Sequence, residues 1–137
     1  MKDIIQFNKY SDYYDLFYQK KDYQAEVKFL RAAIAKHSNR KVKSILSLGC
    51  GTAGHDIILA KQGFKMTSVD FSKRMLDLAK IKAKKQGAAI DFVLGDVRKV
   101  KIKKKFDLVV AMFNIAGYQN SNSDIVDFMA TAARHLN

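Results

Sequence analysis

The sequence predicts an α/β fold, a parallel sheet with helices on both faces, and three observations carry that prediction. Residues 45–60 run from an alternating apolar stretch through Gly49, Gly51 and Gly54 into an apolar-periodic helix. A strand that turns into a helix through glycines sets backbone N–H groups beside a ligand, and a Cβ there would block both the turn and the approach. Strand-like and helix-like segments then alternate towards the C-terminus, as parallel strands joined by crossovers require. Residues 106–113 form a continuous apolar run of the kind found in a central strand buried on both faces.

Taken in order, residues 10–20 carry five aromatics, and Ser11 or Asp12 can cap a short helix showing Tyr14, Phe17 and Tyr18 on one side. That helix reads as a lid, its rings either packed on the core or set over a site. Asp22 caps a longer helix over 23–36 with Val27, Leu30 and Ile34 at helical spacing, and His37 suits its carbonyl-rich end. Residues 42–48 are the strand entering the glycine loop, and the helix that follows runs to Gln62 and stops at Gly63. Residues 64–69 alternate as a second strand ending at Asp70. Ser72 caps a helix that turns Met75, Leu78, Ala79 and Ala83 inward and closes at Gly87. Residues 90–94 are a third strand, and no helix is evident between Leu94 and Phe106. After the apolar run, residues 120–123 make a turn and a last helix presents Ile125, Phe128, Met129, Ala132 and Leu136 to the core. The order is that of a Rossmann-like sheet preceded by two extra helices, with the strand near 107–113 left as a bare edge through which copies can associate. One domain over 1–137 is expected, with a helical extension over 1–41 and the sheet over 42–137.

Composition narrows the function. The chain has 137 residues, formal net charge +12 and a single cysteine, Cys50, which excludes an internal disulfide and a cysteine metal cluster. No apolar run reaches membrane-spanning length, and the first residues lack signal-peptide character, so a cytoplasmic location is expected. Between Lys73 and Lys105 twelve basic residues meet three acids. They are mostly lysines without interleaved aromatics, which favours a solvated face over a nucleic-acid site.

The glycine loop alone leaves its ligand open. Residues 49–54 fit G-x-G-x-x-G, and Asp70 follows Gly49 by 21 residues, near the ~20 of a dinucleotide fingerprint. A carboxylate at that strand end can accept from two ribose hydroxyls, which NAD and S-adenosylmethionine both possess. Two features favour the second. Some forty residues precede the glycine strand, whereas a dinucleotide domain commonly opens on it. A second acid, Asp96, ends the third strand, where it can accept from an adenine amine while the Val97 N–H meets a ring nitrogen.

These residues resemble class I S-adenosylmethionine-dependent methyltransferases: 48–52, Val69-Asp70-Phe71-Ser72 with Met75, Gly95-Asp96-Val97 and 106–110, in order and at family spacing. The resemblance implies that the loop residues Gly49, Cys50, Gly51 and Ala53 contact the methionine portion. It assigns Asp70 and Phe71 to the ribose side, Asp96, Val97 and Met75 to the adenine, and Met112 to the cofactor's surroundings, with no metal. Where the family has an acid two residues before the first glycine, this chain has Ser47, and the third glycine of the family's G-x-G-x-G is Ala53. Both departures imply a weaker cofactor site.

A closer resemblance extends outward. Residues 14–18, Lys21-Asp22-Tyr23, Glu26 and 112–118 look like bacterial N,N-dimethyltransferases of nucleotide-linked amino sugars. It implies methyl transfer to an amine of a small-molecule acceptor, with Tyr14 and Tyr118 bordering the reacting nitrogen. It also implies a seven-stranded fold of which this sequence is the N-terminal portion, the rest following a Pro-Gly-Gly turn. Positioning supplies most of the catalysis of an in-line displacement, so no strong base is expected beyond a tyrosine or water. Asn114 lies where nucleic-acid amine methyltransferases carry Asn/Asp-Pro-Pro-aromatic, but Ile115 and Ala116 replace both prolines. A methyltransferase of RNA or protein and a non-catalytic cofactor-binding fragment are the rival readings.

Overall fold

The computed structural model describes residues 13, 16, 21–112, 115 and 119–137. The expected lid helix over 10–20, with Tyr14, and the segment holding Tyr118 lie outside them. Helix α1, Tyr23–His37, starts where the Asp22 carboxylate accepts from the Ala25 N–H at 2.9 Å, and only its Val27 is fully buried. Strand β1, Ser44–Leu48, leads through the glycine loop to α2, Gly54–Lys61. Strand β2, Lys65–Asp70, and α3, Lys73–Lys85, follow, the helix capped by the Ser72 hydroxyl accepting from Met75 N–H. Then come β3, Ile90–Leu94, β4, Leu108–Val110, and α4, Asn122–Arg134, capped by Ser121.

The four strands are parallel in the order β3-β2-β1-β4. Successive crossovers step outward from β1 to β3, and the chain then returns past them to lay β4 on the other side of β1. Such a reversal leaves a crevice beyond the carboxyl ends of the central strands, the usual ligand position in open α/β sheets. One face of the sheet packs Ile45, Met66 and Val110 against Val27 of α1 and Leu59 of α2, while Ala79 and Ala83 of α3 pack on Ala53 and Ile57. The other face buries Leu46, Leu48 and Val69 with Phe106 and Phe128 of α4.

Three expectations are corrected. The apolar run at 106–113 yields a strand of three residues at one edge of the described sheet, with Leu108 and Val109 half-buried. Its apolarity comes instead from Phe106, which lies 1% exposed off the strand and bridges to Leu136. In α3 Met75, Ala79 and Ala83 are buried as expected, but Leu76 joins them and Leu78 is only half-buried. In α4 only Phe128 and Thr131 are buried, and Ile125, Met129 and Leu136 are exposed.

No helix connects β3 to β4 among the described residues. That connector is instead anchored by His135 at the end of α4. The His135 Nε2 accepts from the Ile102 N–H at 3.0 Å and its Nδ1 donates to the Thr131 carbonyl at 2.7 Å, so the backbone selects the tautomer. No helix among the described residues is long and apolar enough to cross a membrane.

Candidate functional site

The glycine loop closes on the protein before it offers anything to a ligand. The N–H groups of Gly49 and Cys50 both donate to the Val69 carbonyl, at 2.7 and 2.9 Å, and Ala53 donates to Cys50 at 2.9 Å. The Gly51 N–H donates to Oδ2 of Asp70 at 2.9 Å. The expectation of a row of free loop donors is therefore corrected: these four are used to fold the loop onto the end of β2. Gly49 and Gly51 have φ of 76° and 57°, and Ala53, the only described non-glycine residue with positive φ, has 64°.

Two glycines answer to protein neighbours. A Cβ on Gly49 would lie 2.5 Å from Cδ1 of Ile115, beyond β4, and one on Gly54 would lie 2.5 Å from the Tyr23 ring of α1. The loop is thus pressed from both sides by elements distant in sequence.

Asp70 is the joint of the site. Its Oδ2 takes the Gly51 N–H and its Oδ1 the Ser72 N–H, both at 2.9 Å, while its carbonyl accepts from Gly95 N–H at 3.0 Å. One carboxylate therefore holds the glycine loop and the start of α3, and its backbone holds the loop after β3. Burial pushes its carboxyl above the usual range, against the pull of the Ser72 and Gly51 N–H groups. The Phe71 N–H is a third backbone donor to this carboxylate, set against about four lone-pair sites on its two oxygens. Phe71 beside it is exposed and Met75 is buried.

Asp96, at the end of β3, is held by Arg98. Its Oδ1 accepts the Arg98 backbone N–H at 2.9 Å, and the guanidinium spans both oxygens with Nη2 at 2.7 Å from Oδ2. Arg98 reaches on to Asp124 in the first turn of α4 at 2.9 Å. The Arg98 guanidinium keeps the Asp96 carboxyl below the usual carboxylate range. Val97 is half-buried and packs with the core on the α4 face, whereas Met112 packs on the α1 face. Among the described residues no cluster of metal-ligating side chains forms. Tyr14 and Tyr118 lie outside the described residues.

Sequence reasoning missed two groups beside the loop. Asp56, in the first turn of α2, is 2% exposed and accepts the Ser68 hydroxyl at 2.5 Å, and the Ser47 hydroxyl is its second donor. Ser47 and Ser68 are register partners on β1 and β2. The available signal was two serines at inward strand positions, because buried hydroxyls require a partner. The second group is His55, whose Nε2 lies 3.1 Å from Glu26 of α1, with the Tyr23 ring edge-on at 4.8 Å and Lys21 on the other Glu26 oxygen at 2.9 Å. Burial lowers the His55 pKa, with Glu26 pulling the other way.

A family described as methyltransferase domain matches residues 45–137. The dTDP-3-amino-3,4,6-trideoxy-alpha-D-glucopyranose N,N-dimethyltransferase of Streptomyces venezuelae is 30% identical over 129 residues, covering 93% of this chain and 52% of that protein. The crystal structure of Streptomyces venezuelae DesVI superposes with a TM-score of 0.84 at 28% identity, over 93% of this chain and 53% of that one. An S-adenosylmethionine-dependent methyltransferase from Clostridium acetobutylicum gives a TM-score of 0.82 at 25% identity, over 96% and 53%. The chain spans about half the length of the curated relatives it matches.

Proposed function

Since the chain belongs to the methyltransferase domain family, we propose that it binds S-adenosylmethionine at the carboxyl ends of β1, β2 and β3 and serves methyl transfer to an amine of a small-molecule acceptor. The observation that carries this reading is Asp70, a nearly buried carboxylate aimed by the backbone N–H groups of Gly51, Ser72 and Phe71. Its remaining acceptor capacity suits a ribose hydroxyl, and its backbone bonds keep it aimed. Asp96, held ionised by Arg98, is an acceptor suited to an exocyclic amine. These donor and acceptor sets fit an adenosyl group.

In this reading Gly49, Cys50, Gly51 and Ala53 border the methionine portion, with Asp70 and Phe71 at the ribose. Met75, Asp96 and Val97 line the adenine side, and Met112 lies at the edge of the site. Bound there, S-adenosylmethionine supplies an electrophilic methyl carbon for in-line attack by a nucleophile. The chain's part is to hold that group rigidly and exclude water, because alignment rather than acid–base chemistry lowers the barrier of such a displacement. Tyr14 and Tyr118 are proposed to border the attacking nitrogen and take its proton directly or through water. The names of the relatives point to a nucleotide-linked amino sugar as acceptor. The lysine-rich stretch is read as a solvated face, not a nucleic-acid site. The helical extension over 1–41, the Rossmann-like sheet over 42–137, a cytoplasmic setting and self-association along the β4 edge belong to the same proposal.

Isothermal titration of the 137-residue chain with S-adenosylhomocysteine tests the core of it. One-to-one binding that weakens at least about tenfold in Asp70→Ala is expected, the scale of losing a charge-assisted contact. Absence of binding by the parent chain overturns the cofactor assignment.

A further inference from the structure

Beneath the glycine loop lies a polar cluster that the methyl-transfer reading does not use. Ser47 is two residues before Gly49 and 2% exposed, and Ser68, directly opposite it on β2, is fully buried. Both hydroxyls donate to Asp56, which projects from the first turn of α2 onto the sheet. A carboxyl is a costly choice for such a bolt, since an amide or hydroxyl would satisfy two serines without burying charge. Among the described residues no lysine or arginine forms an ion pair with Asp56. Its neighbour His55 is turned to Glu26.

Asp56 lies within electrostatic reach of the loop, and burial raises its own carboxyl above the ordinary range, against the pull of the Ser68 and Ser47 hydroxyls. Burial raises the Cys50 thiol well above its ordinary pKa, and the carboxylates of Asp56 and then Asp70 push it further. Meanwhile the N-terminus of α2 begins at Ala53 with no side-chain cap, leaving helix-end donors of the kind that favour an anion. A carboxylate-seeking helix end with a negative charge just beneath it suits a zwitterion, and the amino-acid end of S-adenosylmethionine is one.

We propose that Asp56, acting through Ser47, supplies the negative charge that the cofactor's ammonium group faces, in place of an acid on β1 itself. Asp56 is a positioning residue in this scheme, since it is buried and touches the ligand only through its neighbours. The inference rests on the cofactor reading above. It also reverses the expectation drawn from Ser47: the acid is not missing but displaced nine residues along the chain, onto α2.

The test compares two ligands on the 137-residue chain by titration calorimetry: S-adenosylhomocysteine, which has the amino-acid end, and 5′-methylthioadenosine, which lacks it. Asp56→Asn is expected to weaken the first about tenfold, equivalent to ~1.4 kcal/mol, and the second less than about twofold. The exchange variant Ser47→Asp/Asp56→Ser, which moves the single carboxyl to the strand, is expected to recover most of the loss. Equal weakening of both ligands makes Asp56 a structural bolt and overturns the inference, as does unchanged S-adenosylhomocysteine affinity. If Asp56→Asn does not fold, Ser47→Ala carries the same comparison, selective weakening supporting the inference and uniform or absent weakening overturning it. A parent chain that binds neither ligand overturns the cofactor reading and this inference with it. A parent that binds both, with no selective effect in the variants, overturns the inference alone.

Discussion

Replacing Ala53 by glycine sets two structural effects of similar size against each other. Ala53 has a left-handed backbone with φ of 64°, a conformation costing an L-residue with a Cβ roughly 1–2 kcal/mol. Glycine relieves that strain. The Ala53 methyl, however, is fully buried against Ile57, Ala79 and Ala83, where α2 and α3 meet. Removing one buried methyl group loses about 0.8 kcal/mol, and the freer unfolded chain of glycine takes away about 0.4–1 kcal/mol more. The effects nearly cancel, so Ala53→Gly is expected to change stability by no more than about 0.5 kcal/mol, read from urea melts with parallel slopes. Stabilisation beyond about 1.5 kcal/mol would show that strain dominates and that the methyl packs poorly. Equal destabilisation would show that the backbone carries no strain. Either result would sink the argument that backbone strain and methyl packing offset each other at this position.

Three further predictions concern the site's charged groups. Asp70→Ala leaves the N–H groups of Gly51 and Ser72 without their carboxylate partner, and a loss of about 2–4 kcal/mol in urea unfolding is expected; a loss under 1 kcal/mol would remove Asp70 as the joint. Burial lowers the His55 pKa below 6.5, so its share of stability is complete above the unfolded value and is lost as pH falls from there through the folded value. The melting temperature of His55→Gln should therefore fall less than that of the parent between pH 7.5 and pH 5.5, and parallel curves would refute the assignment. Arg98→Gln should let the Asp96 carboxyl titrate at higher pH in ¹³C NMR while costing less than about 1 kcal/mol, because the Arg98 side of the pair is exposed to solvent. An unmoved Asp96 midpoint would refute the ion pair.

The parts of the fold that local chemistry controls were legible in the sequence. Asp22 and Ser72 cap helices because a short polar side chain can reach a free N–H from the chain itself, and such signals do not depend on tertiary context. Asp70 and Asp96 were likewise found at strand ends, because their spacing from the loop reports connectivity. What failed was burial. Residues 106–113 are apolar for different reasons: Phe106 fills the core beside α4, Val110 packs towards α1, and only three residues pair as strand. Periodicity cannot separate these roles in a short run. Arg98 was hidden in a lysine-rich stretch, since composition does not reveal which cation in a run has a carboxylate two residues away and another across the fold at Asp124.

The glycine motif changes meaning once its neighbours are named. Read from spacing alone, Gly49 and Gly54 seem to make room for a ligand. In the structure the room at Gly49 is taken by Ile115 and that at Gly54 by Tyr23. These glycines let Ile115, beyond β4, and the first turn of α1 press directly on the loop that Asp70 holds. A ligand on this loop is therefore mechanically tied to both the N-terminal helix and the segment beyond β4. Larger residues at position 49 or 54 should weaken cofactor binding by displacing Ile115 or Tyr23 and shifting the loop, without touching the ligand. Gly54→Ala makes the point cleanly, because its backbone has no positive φ to confuse the reading. Any loss of affinity there must come through the ring of Tyr23, and Tyr23→Leu, which trades the flat ring for a more yielding side chain, should restore part of it. If the double variant binds no better than Gly54→Ala alone, the coupling does not run through that contact.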